Sequence, residues 1–174
     1  MFRGLFQNPF SRFLILSSIL YLSWYFTYEF YLKDQTLLNE YVIDHIVRSS
    51  EAILRFMGYD LNYYDDGNLR VRLGILGSGG VVIGAPCDGI VLLALFTVFM
   101  ISYAGPLKHK VWYLPMGLLV IHWLNIGRVV ALSIIVATSR EWFTFNHDYT
   151  FTLLVYAVVF LLWYIWIIKF SGKK

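Results

Sequence analysis

The segment GAPCDG, residues 84–89, contains the only cysteine of the chain, Cys87, directly before Asp88 and a long apolar run. The thiolate is the nucleophilic form of cysteine, and a helix N-terminus or a nearby cation favours it. Cys87 is therefore either a small apolar residue packed at a helix start or the nucleophile of a cysteine-dependent enzyme. Asp88 fits a helix start, where a carboxylate interacts with the exposed amides.

Five further side chains are candidates because they lie within or next to apolar runs, where ionisable groups are costly and usually functional. His122, Asn125 and Arg128 in HWLNIGR share one broad helix face, and His147 and Asp148 precede the last apolar run. Plainer roles are open to each of them. Arg128 can reach the lipid headgroups or pair with an acidic side chain, and the last two can cap a helix. We expect His122, which lies deeper than Arg128, to make a structural hydrogen bond.

The elements that must position these residues follow from composition. The chain is 59% hydrophobic and 14% charged, whereas soluble domains are roughly 45–50% apolar and about 25% charged. Four segments are long and apolar enough to approach the roughly 20 residues of a membrane span, namely residues 10–30, 89–105, 111–138 and 150–170. The first has no A-x-A-like cleavage site after it and predicts a retained helix. The sequence predicts an all-α integral membrane protein with about four transmembrane helices.

The distribution of charge predicts the orientation. With four crossings, one side carries seven basic residues and no acidic one: Arg3, Arg12, Lys108, Lys110, Lys169, Lys173 and Lys174. All eleven acidic residues lie between Glu29 and Asp148, at or near the other side. The positive-inside rule then places both termini in the cytoplasm. No dense basic cluster or motif indicates nucleic-acid binding.

This orientation predicts that the candidate residues converge. The second helix starts outside, the third ends outside and the fourth starts outside, so Cys87, Arg128 and His147 can meet at one membrane-embedded site on the outer face. His147 can take the thiol proton and return a proton to a leaving amine. His122 is the alternative base, but the topology favours His147. Arg128 stays charged and can hold a developing oxyanion or a substrate carbonyl or carboxylate. Asn125 can orient Arg128 or supply a further donor.

Residues 31–86 form the only sizeable polar region, which we place outside the cytoplasm. Apolar residues recur at helical spacing over TLLNEYVIDHIVRSSEAILRFMGY, with i,i+4 pairs Asp44–Arg48 and Glu51–Arg55. This helix is expected at the membrane interface, packed on neighbouring protein, or both. Alternation over residues 69–75, the turn GSGG and the run Val81–Ile83 predict a short β-hairpin. No GK[ST] follows the glycines, which argues against a phosphate loop.

Three short motifs follow one another in the chain: APCDGI, then NIGR inside the next helix, then NHDYTF near the last helix. Their order and spacing resemble those of the exosortase/archaeosortase family. The compact size resembles the exosortase F branch of that family. The resemblance covers about residues 84–151. It implies a membrane-embedded cysteine transpeptidase whose catalytic residues match Cys87, Arg128 and His147, with Asn125 in its NxxR motif. Two features differ: many relatives have more transmembrane helices, and many carry a glycine where this chain has Phe151 and Thr152.

The resemblance implies that residues 1–174 form one domain in the bacterial cytoplasmic (inner) membrane, with its active site on the extracytoplasmic side. The expected substrates are exported proteins that end in a short motif, a transmembrane helix and a basic tail. A lipid or a glycan is the possible acceptor, and water would give proteolysis. Asp88 and Asp148 are supporting residues. No metal-ligand spacing is present, and no metal or organic cofactor is implied. The alternative is a non-catalytic assembly or transport subunit that binds an anionic partner through Arg128 and His147.

Overall fold

The computed structural model describes residues 8–32, 37–67, 70–84 and 88–171. Most of these residues are helical. The elements are α1 (Pro9–Thr27), α2 (Leu37–Phe56), β1 (Leu61–Gly67), β2 (Arg70–Ile75), β3 (Val81–Ile83), α3 (Ile90–Ser102), α4 (Leu107–Thr138), α5 (Phe143–Phe145) and α6 (Phe151–Trp166). Single turns of π-helix extend α1 (Tyr28–Leu32), join α5 to α6 (Asn146–Thr150) and extend α6 (Ile167–Ser171).

Two helical runs of the described part, Leu107–Thr138 and Arg140–Ser171, are long and apolar enough to cross a membrane. They correspond to the third and fourth predicted spans. The second predicted span folds as α3, which is apolar but has only 13 residues. At 1.5 Å per residue it is about 20 Å long, shorter than the roughly 30 Å of hydrocarbon in a bilayer. The first predicted span folds as the 19-residue α1.

The last helical run begins earlier than the sequence predicted. We expected a helix over residues 150–170 with His147 and Asp148 just ahead of it. The run instead begins at Arg140, so both residues lie inside it, in the π-helical turn Asn146–Thr150. Phe143, in the added turn, packs against a buried cluster formed by Val81, Leu132 and Val136. His147 and Asp148 therefore do not lie in a loop that caps this helix, which was one of the plainer roles open to them.

The sheet has three antiparallel strands, in the order β1-β2-β3, whereas the sequence predicted only a two-stranded hairpin. The hairpin itself is confirmed, with Leu73 opposite Val81. The third strand, β1, was not predicted. It pairs with β2, with Leu61 opposite Ile75 and an irregularity between Asp65 and Gly67. β3 is thus an edge strand of the sheet, and it ends four residues before Cys87.

The predicted amphipathic helix is confirmed as α2. On its polar face Arg48 Nε lies 2.7 Å from Asp44 Oδ2, and Arg55 Nε lies 2.8 Å from Glu51 Oε1. Its apolar face is buried against the sheet and the C-terminal half of α4, in a cluster formed by Ile43, Ile46, Val47, Leu54, Leu73, Ile75, Ile83, Ile126, Val129 and Val130. Packing on neighbouring protein, one of the two roles expected of this helix, is therefore present.

The helix α4 connects two parts of the molecule because it is about 48 Å long, at 32 residues. Its N-terminal half packs with α3 and α6 around Phe96, Met100 and Trp166. Here Gly117 lies directly beneath the Phe96 ring, and the Tyr113 hydroxyl donates a 2.7 Å hydrogen bond to the Leu162 carbonyl. The C-terminal half packs on α2 and the sheet. His122, Asn125 and Arg128 lie where α4 passes from one environment to the other.

Candidate functional site

Asp88 holds the start of α3 next to the candidate nucleophile. Residues 85–87, which include Cys87, lie outside the described residues. Asp88 is 3% exposed, and its Oδ1 accepts a 3.0 Å hydrogen bond from the Ile90 amide. Its Oδ2 is buried and has no hydrogen-bond partner within the described residues. Burial raises the pKa of this carboxyl above its ordinary value, and the Ile90 amide partly offsets the rise.

Gly89 brings the segment after Cys87 against α4. Its φ of +76° lies in the left-handed region, which favours glycine. A Cβ at this position would lie 3.2 Å from Asn125 Nδ2, so the backbone of Gly89 touches the asparagine amide. Asn125 itself is 1% exposed. The asparagine of the NxxR motif therefore packs against a residue only two positions after Cys87.

Arg128 lies one turn after Asn125 on α4 and is half-buried. Its Nε is buried, and none of the described residues supplies it with a hydrogen bond or an ion pair. A buried polar nitrogen without a partner costs about 1–3 kcal/mol. The structural pairing of Arg128 with an acidic side chain, considered from sequence, is absent among the described residues.

His147 is oriented by its neighbour in the π-helical turn. Its Nδ1 lies 2.7 Å from Asp148 Oδ1, and its ring packs on Phe143 with the centroids 5.5 Å apart. A carboxylate at Nδ1 favours the tautomer with the proton on that nitrogen, which puts the basic lone pair on Nε2. The hydroxyl of Thr152 donates a 3.1 Å hydrogen bond to the His147 carbonyl. Thr152 thus satisfies a carbonyl of this turn.

Packing contacts connect α4 and the His147 turn to the segments on either side of Cys87. Leu132, one turn beyond Arg128 on α4, is buried in one cluster with Val81 of β3, and Phe143 packs against this cluster. Phe143 in turn contacts His147. The asparagine is in contact with the segment that follows Cys87, while the histidine is linked through Phe143 to the strand that precedes it. Among the described residues, no hydrogen bond or ion pair joins Arg128 to His147.

His122 belongs to a different contact. Its Nε2 lies 2.8 Å from Nδ1 of His45 on α2, and the two ring centroids are 4.9 Å apart. His122 thus makes the structural hydrogen bond that we expected. Its partner was missed, because no local pattern links two residues 77 positions apart.

The sequence matches the family model of transmembrane exosortases (Exosortase_EpsH) over residues 9–165. The chain belongs to the transmembrane exosortase family. The protein is therefore a membrane protein. The matched family is the one that the APCDGI, NIGR and NHDYTF motifs indicated. No curated protein and no solved structure matches this exosortase at a significant level. The match spans all the helices that carry the candidate residues, from α1 to most of α6.

Proposed function

We propose that this exosortase is a membrane-embedded cysteine transpeptidase that cleaves the C-terminal sorting signals of exported proteins. The observation that carries the proposal is the family match over residues 9–165, since the family is one of protein-sorting transpeptidases. The presence of Cys87, Arg128 and His147 in the family's order supports it. The substrate would be an exported protein whose chain ends in a short motif, a transmembrane helix and a basic tail.

In the proposed reaction, His147 Nε2 removes the proton of the Cys87 thiol. The sulfur then attacks the carbonyl carbon of the scissile peptide bond. Arg128 donates hydrogen bonds to the oxyanion of the tetrahedral intermediate, where charge develops. As the C–N bond breaks, His147 returns the proton to the leaving amine. The products are a thioester on Cys87 and a released C-terminal helix with a new amino group.

The acyl group then leaves the enzyme by the reverse proton path. An amine or hydroxyl on a lipid or surface glycan loses its proton to His147 and attacks the thioester. The thiol is regenerated when the proton returns to sulfur. Water in place of the acceptor gives hydrolysis. Asp148 supports this cycle because its contact with Nδ1 keeps Nε2 as the reactive nitrogen. Asp88 and Asn125 support it by fixing residues 88–90, which directly follow Cys87 in the chain.

The proposed location is the bacterial inner membrane, with one domain over residues 1–174, both termini in the cytoplasm and the site on the extracytoplasmic side. Charge distribution supports this orientation. Four crossings require α1 and the short α3 to traverse the bilayer, the latter with help from the residues that flank it. Fusions of alkaline phosphatase, which is active only outside the cytoplasm, to residues 60 and 174 test it. We expect activity at the first position only, and the reverse pattern would refute the orientation.

The decisive experiment uses the single cysteine. A co-expressed protein with a C-terminal motif, apolar helix and basic tail should be cleaved by the wild-type protein and remain intact with Cys87→Ala. Mass spectrometry of the wild-type protein after rapid acid quenching should find the substrate fragment bound to Cys87 as a thioester. Full processing by Cys87→Ala would overturn the proposal.

A non-catalytic role is the rival that Arg128 favours, because a cation whose Nε has no partner among the described residues can also bind an anionic partner within the bilayer. The two functions separate at Cys87. An assembly or transport subunit tolerates Cys87→Ala and loses its partner with Arg128→Gln, whereas the transpeptidase loses processing with either change.

A further inference from the structure

A lateral groove of about 670 Å³ lies between α1, α3 and α4, apart from the candidate catalytic residues. Its lining is almost entirely apolar. Along α3 the groove is lined by Ile90, Leu93, Ala94, Thr97 and Val98, and along α4 by Pro115, Leu118, Leu119 and His122, while Trp24 and Val42 contribute from α1 and α2. Both long walls are single helix faces, since their positions are spaced i, i+3, i+4 and i+7.

The shape of the groove fits a helix. Each wall continues for about two turns, or roughly 10–12 Å at 1.5 Å per residue. The α3 wall includes the small side chains of Ala94 and Thr97, and small residues let helices approach closely in a membrane. The hydroxyl of Thr97 is already bonded to the Leu93 carbonyl at 2.8 Å, so it needs no polar partner from an occupant. Leu119 at the rim is 60% exposed.

The helix α2 braces both sides of one end of this groove. Asn39 Nδ2 donates a 3.4 Å hydrogen bond to the hydroxyl of Tyr28, on which Trp24 stacks with ring centroids 5.2 Å apart. On the other side His45 bonds His122. Side chains of α2 therefore fix the end of α1 and the α4 wall at this end of the groove, so the opening is built into the fold.

The braced end is the end next to the nucleophile. Ile90, the first residue of α3, lines the groove there and is fixed through its amide by Asp88. Cys87 precedes Ile90 by three residues, so a chain leaving this end of the groove arrives at the segment that carries the thiol. From these observations we infer that the groove binds the transmembrane helix of the substrate, with the N-terminal end of that helix at the His45–His122 pair. This inference rests on the proposed function and adds the surface that selects the substrate.

Disulfide cross-linking tests the docking without catalysis. Cys87→Ala leaves the chain without cysteine, because Cys87 is the only one. In that background, single cysteines are placed in the groove (Ala94→Cys, Leu119→Cys) and on the exposed face of α6 (Leu153→Cys, Leu161→Cys). The co-expressed substrate carries single cysteines along its helix, and membranes are oxidised with copper phenanthroline.

We expect disulfides at positions 94 and 119, with substrate positions that repeat every three to four residues, and at least tenfold less product at 153 and 161. Equal cross-linking at all four positions, or none in the groove, would overturn the inference. Labelling of positions 94 and 119 by a thiol-reactive acyl lipid that the substrate does not displace would identify a lipid chain as the occupant and would also overturn it.

A processing assay in the protein with Cys87 intact separates the two proposals. Ala94→Phe fills the groove and should lower cleavage at least tenfold, while the matched Leu161→Phe on α6 should leave it unchanged. Because Ala94→Phe can also affect folding, Leu119→Trp at the exposed rim is tested beside it with the same expectation. If Cys87→Ala continues to process the substrate, the proposed function fails even where the cross-links succeed. If processing needs Cys87 and ignores the groove variants, only the docking site is wrong.

Discussion

Replacing Gly89 by alanine tests whether the contact between this residue and Asn125 positions the candidate site. Gly89 has a φ of +76°, and left-handed backbone costs other residues about 1–2 kcal/mol. The added Cβ would also lie 3.2 Å from Asn125 Nδ2 and 3.4 Å from its Cγ, so the asparagine must move by a few tenths of an ångström. Gly89→Ala therefore combines a backbone penalty with a displacement at the proposed site.

Gly77→Ala is the matched control. Gly77 has a φ of +84° with nothing within 4 Å of an added Cβ, so it carries the backbone penalty alone. Both variants should lose about 1–2 kcal/mol of unfolding free energy, a fall of roughly 2–4 °C in Tm for each kcal/mol. Misplacement by about 1 Å can lower catalysis about 100-fold. A shift of a few tenths should lower processing on the order of tenfold for Gly89→Ala and leave Gly77→Ala near wild type.

The assay pairs thermal unfolding of the purified protein in detergent with the rate of cleavage of a co-expressed sorting-signal substrate. The rate is normalised to the amount of folded protein, so a loss of stability alone does not count as a loss of activity. Equal processing by the two alanine variants would refute the reasoning, because the Asn125 contact would then carry no functional consequence. A lower Tm for Gly77→Ala than for Gly89→Ala would refute the packing argument itself.

Three further predictions concern packing, pH and the proposed base. Gly117→Ala should destabilise the protein by about 1–3 kcal/mol, because the added Cβ would clash with the Phe96 ring. An added Cβ at Gly127 has nothing within 4 Å, so Gly127→Ala should stabilise α4 by up to about 1 kcal/mol, and equal Tm values for the two variants would contradict this. Burial raises the Asp88 pKa above 3.8, so this carboxyl disfavours folding least below pH 3.8, and its cost to stability appears as the pH rises through the folded pKa. Asp88→Asn keeps an acceptor for the Ile90 amide. It should raise Tm near pH 7 and give no gain in Tm at about pH 3.5. A gain in Tm that grows as the pH falls would refute this prediction. His147→Ala should lower processing roughly 10²–10⁴-fold. Asp148→Ala should lower it by less, because the half-exposed carboxylate of Asp148 only orients the His147 ring. A larger loss for Asp148→Ala than for His147→Ala would contradict that role.

The sequence was sufficient where a pattern is local. Helical spacing and two i,i+4 ion pairs predicted α2, and alternation predicted the β2–β3 hairpin. β1 was missed because its residues LNYYDDG contain the Asp-Gly turn signal and gain their pairing only from β2. The early start of the last helix was missed for a similar reason. The charged pair Arg140 and Glu141 is typical of a connection, and the packing of Phe143 on the cluster that contains Val81 and Leu132 is a tertiary contact.

The candidate residues could be named from the sequence, but their surroundings could not. Asn125 and Arg128 stand out because α4 is otherwise apolar. Their neighbours depend on how α3 and the sheet meet α4, which spacing along one helix does not encode. The His45–His122 bond joins two elements that are far apart in the chain. The π-helical turn at His147 adds one residue to the helical repeat, so the face on which the histidine lies cannot be read from a regular period.

Arg128 offers a test that separates a structural role from a functional one by the sign of a stability change. Its buried Nε lacks a partner among the described residues, and an unsatisfied buried group costs about 1–3 kcal/mol. Arg128→Met keeps the apolar stem and removes the charged end. If Arg128 serves the oxyanion, this variant should unfold at a higher temperature than wild type and should lose processing, as expected where a functional group is retained at the expense of stability. If Arg128 stabilises the fold through an ion pair, the same variant should unfold at a lower temperature, because its acidic partner would be left buried and unpaired. Thermal unfolding of wild type and Arg128→Met at one pH and one detergent concentration distinguishes the two, and a lower Tm would refute the catalytic assignment of this arginine.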